Sequence, residues 1–177
     1  MNLLRFTWLG RLLACIAATL VLTAAHAQPA ADASRPILTI TSKASAKPLQ
    51  LDMAALNKLP QHSFKTNSPW TREPHTYSGP LMRDVLALAG AQGATTIKAV
   101  ALNDYQISIP VEDAMKHPLI VANLIDGKAI PVRERGPLFV IYPFDSSADL
   151  KSQRYYERSI WQLNQWWLDQ MTGAAAS

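Results

Sequence analysis

The sequence is poor in cysteine and glycine, with one Cys and 7 Gly among its 177 residues. The single Cys15 lies in an N-terminal segment that we expect to be removed, so the mature chain would have no disulfide, thiolate metal ligand or cysteine nucleophile. The sequence also lacks a large excess of basic over acidic residues, or of acidic over basic ones. Removing Arg5 and Arg11 with that segment reduces 17 basic residues to 15, against 13 acidic residues, which gives no indication of nucleic-acid binding.

No uninterrupted hydrophobic run reaches the ~20 residues that a membrane-spanning helix needs. The longest apolar stretch, Leu12 to Ala25, is interrupted by two threonines, follows two arginines and leads into Ala25-His26-Ala27. This pattern predicts a cleavable secretory signal over residues 1–27, and hence a periplasmic protein without an integral membrane segment. Lipidation at Cys15 is the alternative, although most of the apolar stretch follows that cysteine.

Cleavage would leave one domain of ordinary size. Residues 28–35 are rich in alanine and carry Pro29, so we expect them to be a disordered lead-in. The apolar content of 49% is typical of a globular core, which we expect within residues 36–171. Residues 172–177 are predicted to be a frayed tail.

The first part of the domain is predicted to mix strands with one short helix. Period-two patterns predict strands over 37–41 and 49–51. Asp52 is a suitable N-cap for a helix that ends at Leu59, before a proline. The polar stretch 61–70 predicts a strand that runs into an exposed loop.

A second helix is predicted from the apolar spacing after residue 80. Ser78 or Gly79 would cap it, Pro80 would occupy its first position, and Gly90 would lie just past its end.

Two turn sequences predict β-hairpins in the second half of the chain. They are Asn103-Asp104 and Asp126-Gly127, whose residue types favour tight turns. The strand-like runs that they separate are 95–102 with 105–109, and 119–125 with 128–130.

The remaining segments predict one further helix and one further strand. A short helix should begin at Pro110 and end at Pro118, and the apolar run 138–142 predicts a buried strand. The segment 155–171 fits both helical and strand periodicity. Because the strands follow one another without full crossover helices, the fold class is predicted to be α+β, mixed and rich in hairpins.

Recognised catalytic motifs are absent from the sequence. It contains no G-x-G-x-x-G, Walker loop, H-E-x-x-H or G-x-S-x-G. His62, His75 and His117 lack the spacing of a metal site, so we expect no metal ligands and no catalytic residues of a known motif.

Three irregular segments carry the candidate binding residues. Loops beside rigid strands are common binding sites, arginine suits anions, and aromatic rings offer stacking faces. The candidates are Thr66, Asn67 and Trp70; Asn103, Asp104 and Tyr105; and Arg133 and Arg135. Structural alternatives remain open, since Asp104 suits a turn, the arginines can pair with Glu134, and Trp70 can be a lid on the core.

The adjacent Trp166 and Trp167 form a further candidate. They cannot both face the same side of a strand, so one of them could be exposed to a partner.

An ordered series of short motifs gives the chain a family resemblance. It resembles the oxidoreductase molybdopterin-binding domain of the sulfite oxidase superfamily, in particular short exported single-domain members. The resemblance covers Ile37 to Trp167. The motifs are Pro69-Trp70-Thr71, Tyr77-Ser78-Gly79-Pro80-Leu81-Met82-Arg83-Asp84-Val85-Leu86, Ala101-Leu102-Asn103-Asp104-Tyr105, Ile109-Pro110, Asp126-Gly127-Lys128, Arg133-Glu134-Arg135-Gly136-Pro137-Leu138, Tyr142-Pro143-Phe144-Asp145 and Ser159-Ile160-Trp161-Gln162-Leu163.

The resemblance implies a sulfite-oxidase-type fold in which the segment 160–163 is a strand. Catalytic members hold molybdenum through the dithiolene of a pterin and one cysteine upstream of the Gly-Pro-Leu helix. The corresponding stretch 63–70 contains no cysteine, and hydroxyl or amide groups are poor substitutes for a soft thiolate.

Two functional hypotheses follow from the resemblance and the missing thiol. The favoured one is an exported, non-catalytic module that binds a small anionic ligand or a periplasmic partner protein and holds no cofactor, although molybdopterin is the group that the resemblance implies. The alternative is a periplasmic molybdopterin-dependent oxidoreductase, or its subunit, with a cysteine-free metal site. A purely structural domain with an exposed tryptophan as a docking edge is a third, weaker hypothesis.

Overall fold

The computed structural model describes residues 35–43 and 45–170. The predicted signal segment 1–27, Cys15, the predicted tail 172–177 and all but the last residue of the predicted lead-in lie outside these residues. Within the described part of the chain, no helix is long and apolar enough to span a membrane.

The described residues form eleven strands and four short α-helices. The strands are β1 (Leu38–Ser42), β2 (Leu49–Leu51), β3 (Gln61–Thr66), β4 (His75–Pro80), β5 (Ala94–Ala101), β6 (Gln106–Pro110), β7 (Ile120–Ala122), β8 (Leu124–Ile125), β9 (Lys128–Ala129), β10 (Phe139–Ile141) and β11 (Leu163–Gln170). The helices are α1 (Met53–Asn57), α2 (Met82–Leu88), α3 (Val111–Lys116) and α4 (Gln153–Arg158). This combination confirms the mixed α+β fold class.

The strands are arranged in two sheets and one buried pair. The larger sheet has the order β2-β1-β11-β5-β6, and the smaller one has the order β3-β4-β8-β9. β11 runs parallel to β1 and antiparallel to β5. The β7–β10 pair is buried at every position, so it lies in the hydrophobic interior.

Several local predictions are confirmed, because short-range chemistry decides them. The Asp52 carboxylate accepts a hydrogen bond from the Ala55 N–H at 2.7 Å and caps α1. Both predicted hairpins form, with β5 and β6 joined at Asp104 and with β8 and β9 joined at Asp126, each residue at positive φ. The predicted run 119–125 is nevertheless broken at Asn123, so β7 and β8 belong to different sheets.

The predicted start of the second helix is wrong. Ser78, Gly79 and Pro80 belong to β4, and α2 begins after Leu81. A Cβ on Gly79 would overlap the Val121 carbonyl oxygen. The glycine is therefore required by the close approach of β7 to β4 rather than by a helix cap.

The final segment contains a helix and then a strand. α4 precedes β11, which begins at Leu163, so the strand implied for 160–163 is displaced toward the C-terminus. Within the implied range, Trp161 forms only an isolated bridge with Phe139. Along β11, Trp166 is fully buried while Trp167 is 46% exposed, as alternation along a strand requires.

An ion pair to a buried carboxylate fastens α4 to the core. The Asp113 carboxylate on α3 accepts hydrogen bonds from the Tyr142 hydroxyl at 2.8 Å and from the Arg158 guanidinium at 2.7 Å. Burial, followed by the neighbouring Asp113 charge, raises the pKa of Tyr142, so its hydroxyl remains a donor. Three elements that are distant in sequence thus meet at one carboxylate.

Replacing Asp113 with alanine should lower the free energy of unfolding by about 3 kcal/mol, because the half-buried Arg158 guanidinium loses its counter-charge and the buried Tyr142 hydroxyl loses its acceptor. Urea denaturation at neutral pH measures this change. Glu112→Ala is the matched control, since the neighbouring Glu112 is exposed and pairs with Lys116 at the surface; its effect should stay below about 0.5 kcal/mol. Equal effects of the two substitutions would contradict a structural role for this ion pair.

Candidate functional site

A pocket of about 360 Å³ opens between the loop before β4, the β5–β6 turn and α4. Four aromatic side chains line it, namely Trp70, Tyr105, Tyr156 and Trp161. Its polar lining residues are Asn103, Gln153, Glu157 and Ser159. The cavity lies near the lower end of the roughly 300–1,000 Å³ that small-molecule sites occupy.

Trp70 is both a wall of this pocket and a cover for the core. Its ring makes edge-to-face contacts with four other aromatic rings at centroid distances of 5.5–6.2 Å. These partners are Phe139, Phe144, Tyr156 and Trp161. Such contacts hold the indole in one orientation, so the pocket wall is pre-formed.

The β5–β6 turn supplies two of the predicted residues. Asn103 and Tyr105 line the pocket, and the Asn103 side-chain oxygen accepts a hydrogen bond from the Tyr105 N–H at 3.2 Å. Asp104 lies between them with φ of 63°, which makes it a turn former and not a lining residue.

The two predicted arginines occupy different environments. Arg133 is exposed and pairs with Glu134 at 3.4 Å. Arg135 donates a hydrogen bond to the Trp70 carbonyl oxygen at 3.2 Å, and its guanidinium carbon lies 5.7 Å from the centre of the Trp161 ring. Neither arginine lines the pocket, but Arg135 braces two residues that do.

Thr66 and Asn67 hold the loop in place and do not line the pocket. The buried Thr66 hydroxyl accepts a hydrogen bond from the Asp145 N–H at 3.1 Å and donates to the Asn67 carbonyl oxygen at 3.2 Å. The Asp145 carboxylate accepts hydrogen bonds from the Asn67 N–H at 2.6 Å and from its side-chain amide at 2.9 Å.

The charge of Asp145 is stabilised by the same contacts. Lys151 lies 2.7 Å from its carboxylate. The hydrogen bond from Lys151, followed by the one from the Asn67 N–H, lowers the pKa of Asp145 to about 2. The loop is therefore fastened by an ionised carboxylate over the ordinary pH range.

A cluster of hydroxyl groups follows Asn67 along the chain. The Ser68 and Thr71 hydroxyls lie 2.9 Å apart in a hydrogen bond. Burial raises the pKa of the nearby Tyr77, while its hydrogen bond with Ser68 and the charge of Arg135 oppose that shift. Polar groups in this loop thus bond to one another.

His62, His75 and His117 do not group into a metal site. His75 lies 2.6 Å from the Asp126 carboxylate, and His117 packs against Tyr142 and Tyr155. Across residues 35–43 and 45–170, no three His, Cys, Asp or Glu side chains are grouped so that they could hold a metal ion.

Sequence reasoning missed the contribution of α4. Gln153, Tyr156 and Glu157 lie on this short helix, and Trp161 follows it. The sequence from residue 155 fits both helical and strand periodicity, and tertiary contacts, including those of Tyr156 and Trp161 with Trp70, bring the segment to the pocket. The abrupt change from polar residues at 151–154 to Tyr155-Tyr156 was the available signal for a half-buried helix.

Comparison with known proteins gives a family and a fold. A family model described as the oxidoreductase molybdopterin binding domain matches residues 25–148. No curated protein matches the chain. Among solved structures, the chain is similar to the crystal structure of the sulfane dehydrogenase SoxCD from Paracoccus pantotrophus, with 16% identity and a TM-score of 0.59. The match covers 79% of this chain and 39% of that chain, so it spans about two fifths of the solved chain and shows the fold alone.

We expect Asp145→Asn to lower the free energy of unfolding by about 1 kcal/mol at neutral pH, because Lys151 loses its charged acceptor. The folded-state pKa is depressed, so this stabilisation is complete above the unfolded-state pKa of about 4 and is lost as the pH falls through about 2. Urea denaturation of both proteins at a series of pH values measures the difference.

Asp149→Asn is the control, since this nearby aspartate has no ion pair among the described contacts. It should leave the free energy of unfolding unchanged. A constant difference between wild type and Asp145→Asn throughout the acid range would contradict the predicted role of the Asp145 charge.

Proposed function

Because the chain belongs to the oxidoreductase molybdopterin-binding domain family, we propose that it is an exported member that binds a small ligand without redox catalysis. The observation that carries the proposal is the pre-formed pocket, walled by four aromatic side chains and fixed by Trp70. Typical small-molecule sites combine apolar walls with a few polar groups, and this pocket has both.

The chemistry of the loop 66–71 does not fit a molybdenum centre. The loop has no thiol, and its other donors are engaged within the protein. Ser68 bonds with Thr71, Thr66 bonds with the backbone on both sides, and Asn67 bonds with Asp145. A metal would have to displace these bonds and then accept hard oxygen ligands in place of a soft sulfur.

The pocket does not fit the phosphate of a pterin cofactor either. Among its lining residues, Glu157 is the only one with a charged side chain at neutral pH. Arginine, lysine or a helix N-terminus would be the suitable partner for a phosphate, whereas a carboxylate repels it. We therefore derive no reaction step through molybdopterin.

Export is proposed from the sequence pattern of residues 1–27, which has a basic start, an apolar centre and a small-residue end. In the periplasm, a protein with an open pocket would sample small molecules that cross the outer membrane. The ligand-binding proposal requires only that the pocket remains accessible after export.

A partner-binding function is the second candidate. The observation that favours it is Trp167, which is 46% exposed on the larger sheet, beside Lys98 and Thr41 in register. Large exposed aromatic side chains are enriched at protein–protein interfaces. Trp167 is not among the residues that line the pocket, so substitutions can separate the two functions.

Protein produced in a host that makes molybdopterin, and purified without chelator, should contain neither stoichiometric molybdenum nor pterin. Elemental mass spectrometry measures the metal, and fluorescence of the oxidised pterin measures the organic part. A cysteine-containing molybdenum enzyme made in the same host shows that the host loads the cofactor. Near-stoichiometric metal and pterin would overturn the proposal and favour an oxidoreductase with a cysteine-free metal site.

A further inference from the structure

One acidic side chain is the only charged group among the residues that line the pocket. Glu157 lies on α4 and lines the pocket, and no lysine or arginine does so. The Gln153 amide donates a hydrogen bond to one Glu157 carboxylate oxygen at 2.9 Å, which leaves the second oxygen without a protein partner among the described contacts. An anionic ligand would be repelled here, and a cationic one attracted.

The aromatic walls provide a second attraction of the same sign. The faces of tryptophan and tyrosine rings carry a negative electrostatic potential, and they attract a cation within about 6 Å of the ring centre. Trp70, Trp161, Tyr105 and Tyr156 surround one small cavity. Several rings around a single space can share one cation that has little hydration of its own.

Trp161 already contacts a cation within the protein. The Arg135 guanidinium carbon lies 5.7 Å from the centre of its ring. Because Arg135 also donates to the Trp70 carbonyl oxygen, it is held outside the pocket lining. Trp161 therefore already takes part in one cation–π contact, from a side chain that does not line the pocket.

Several residues of the pocket lie beyond the part of the chain that the family model matches. The family match ends at residue 148, whereas Tyr156, Glu157 and Trp161 follow it. The family assignment therefore leaves the ligand of this pocket open, and the ligand has to be inferred from the side chains themselves.

We propose that the pocket binds a small organic cation of the quaternary ammonium class, with the charged group among the four aromatic rings and Glu157 at the rim. This inference rests on the proposed ligand-binding function and adds the charge of the ligand. It replaces the small anion that the arginines suggest at the sequence level, because neither Arg133 nor Arg135 lines the pocket.

Calorimetric titration with choline, and with its uncharged carbon isostere dimethylbutanol, tests the charge preference directly. The two probes have nearly the same shape, so a difference in affinity reports the charge. Choline should bind about tenfold more tightly than dimethylbutanol, and sulfate should not displace it. Equal affinities, binding of neither probe, or displacement by sulfate would overturn the inference.

Two pairs of variants assign the preference to the pocket. Glu157→Gln should weaken choline binding about fivefold and leave dimethylbutanol unchanged, while Glu112→Gln, which removes an exposed charge on α3, should alter neither. Tyr105→Leu should weaken choline binding about fivefold, and Tyr105→Phe should preserve it. Tyr105 is 47% exposed, so both substitutions leave the core intact.

The metal and pterin contents of the same preparation distinguish the two possible failures. A preparation that carries the cofactor overturns the proposed function. A cofactor-free preparation that binds choline no better than dimethylbutanol overturns only the inference about charge. Equal effects of Glu157→Gln and Glu112→Gln would also overturn it, because the preference would then come from the overall charge of the protein.

Discussion

The pocket depends on one buried carboxylate. Asp113 is 7% exposed, and its two hydrogen-bond donors, Tyr142 and Arg158, come from the residue after β10 and from the end of α4. An uncompensated charge at this depth would be costly, so the three elements must stay together. Since α4 carries Gln153, Tyr156 and Glu157, an interaction remote from the pocket supports this part of its wall.

The structural features that depend only on residues close together in the sequence could be predicted. The Asp52 cap, the turns at Asp104 and Asp126, and the buried strand within 138–142 all follow from neighbouring residues. The start of the second helix was predicted wrongly because a contact distant in the sequence decides it. Gly79 and Pro80 fit a helix start by local rules, but the glycine is needed because the carbonyl of Val121, 42 positions later, occupies the space of a side chain.

In the candidate site, too, only the residues that local chemistry marks could be predicted. Sequence reasoning found the loops that contribute Trp70, Asn103 and Tyr105, because turn residues and aromatic side chains mark them. It also selected Thr66 and Asn67, whose contacts with Asp145 are structural. It could not find Glu157, because a charged residue on a short helix has the same local pattern whether it faces a pocket or open solvent.

The position of β11 has a consequence for the order in which the fold can form. This strand is the last in the described chain, yet it lies at the centre of the larger sheet and is the only link between β1 and β5. Until it is present, the β1–β2 and β5–β6 pairs are separate hairpins with exposed apolar faces. The larger sheet can therefore be completed only when residues 163–170 are available, so a chain synthesised from its N-terminus holds the two pairs unjoined until this strand emerges.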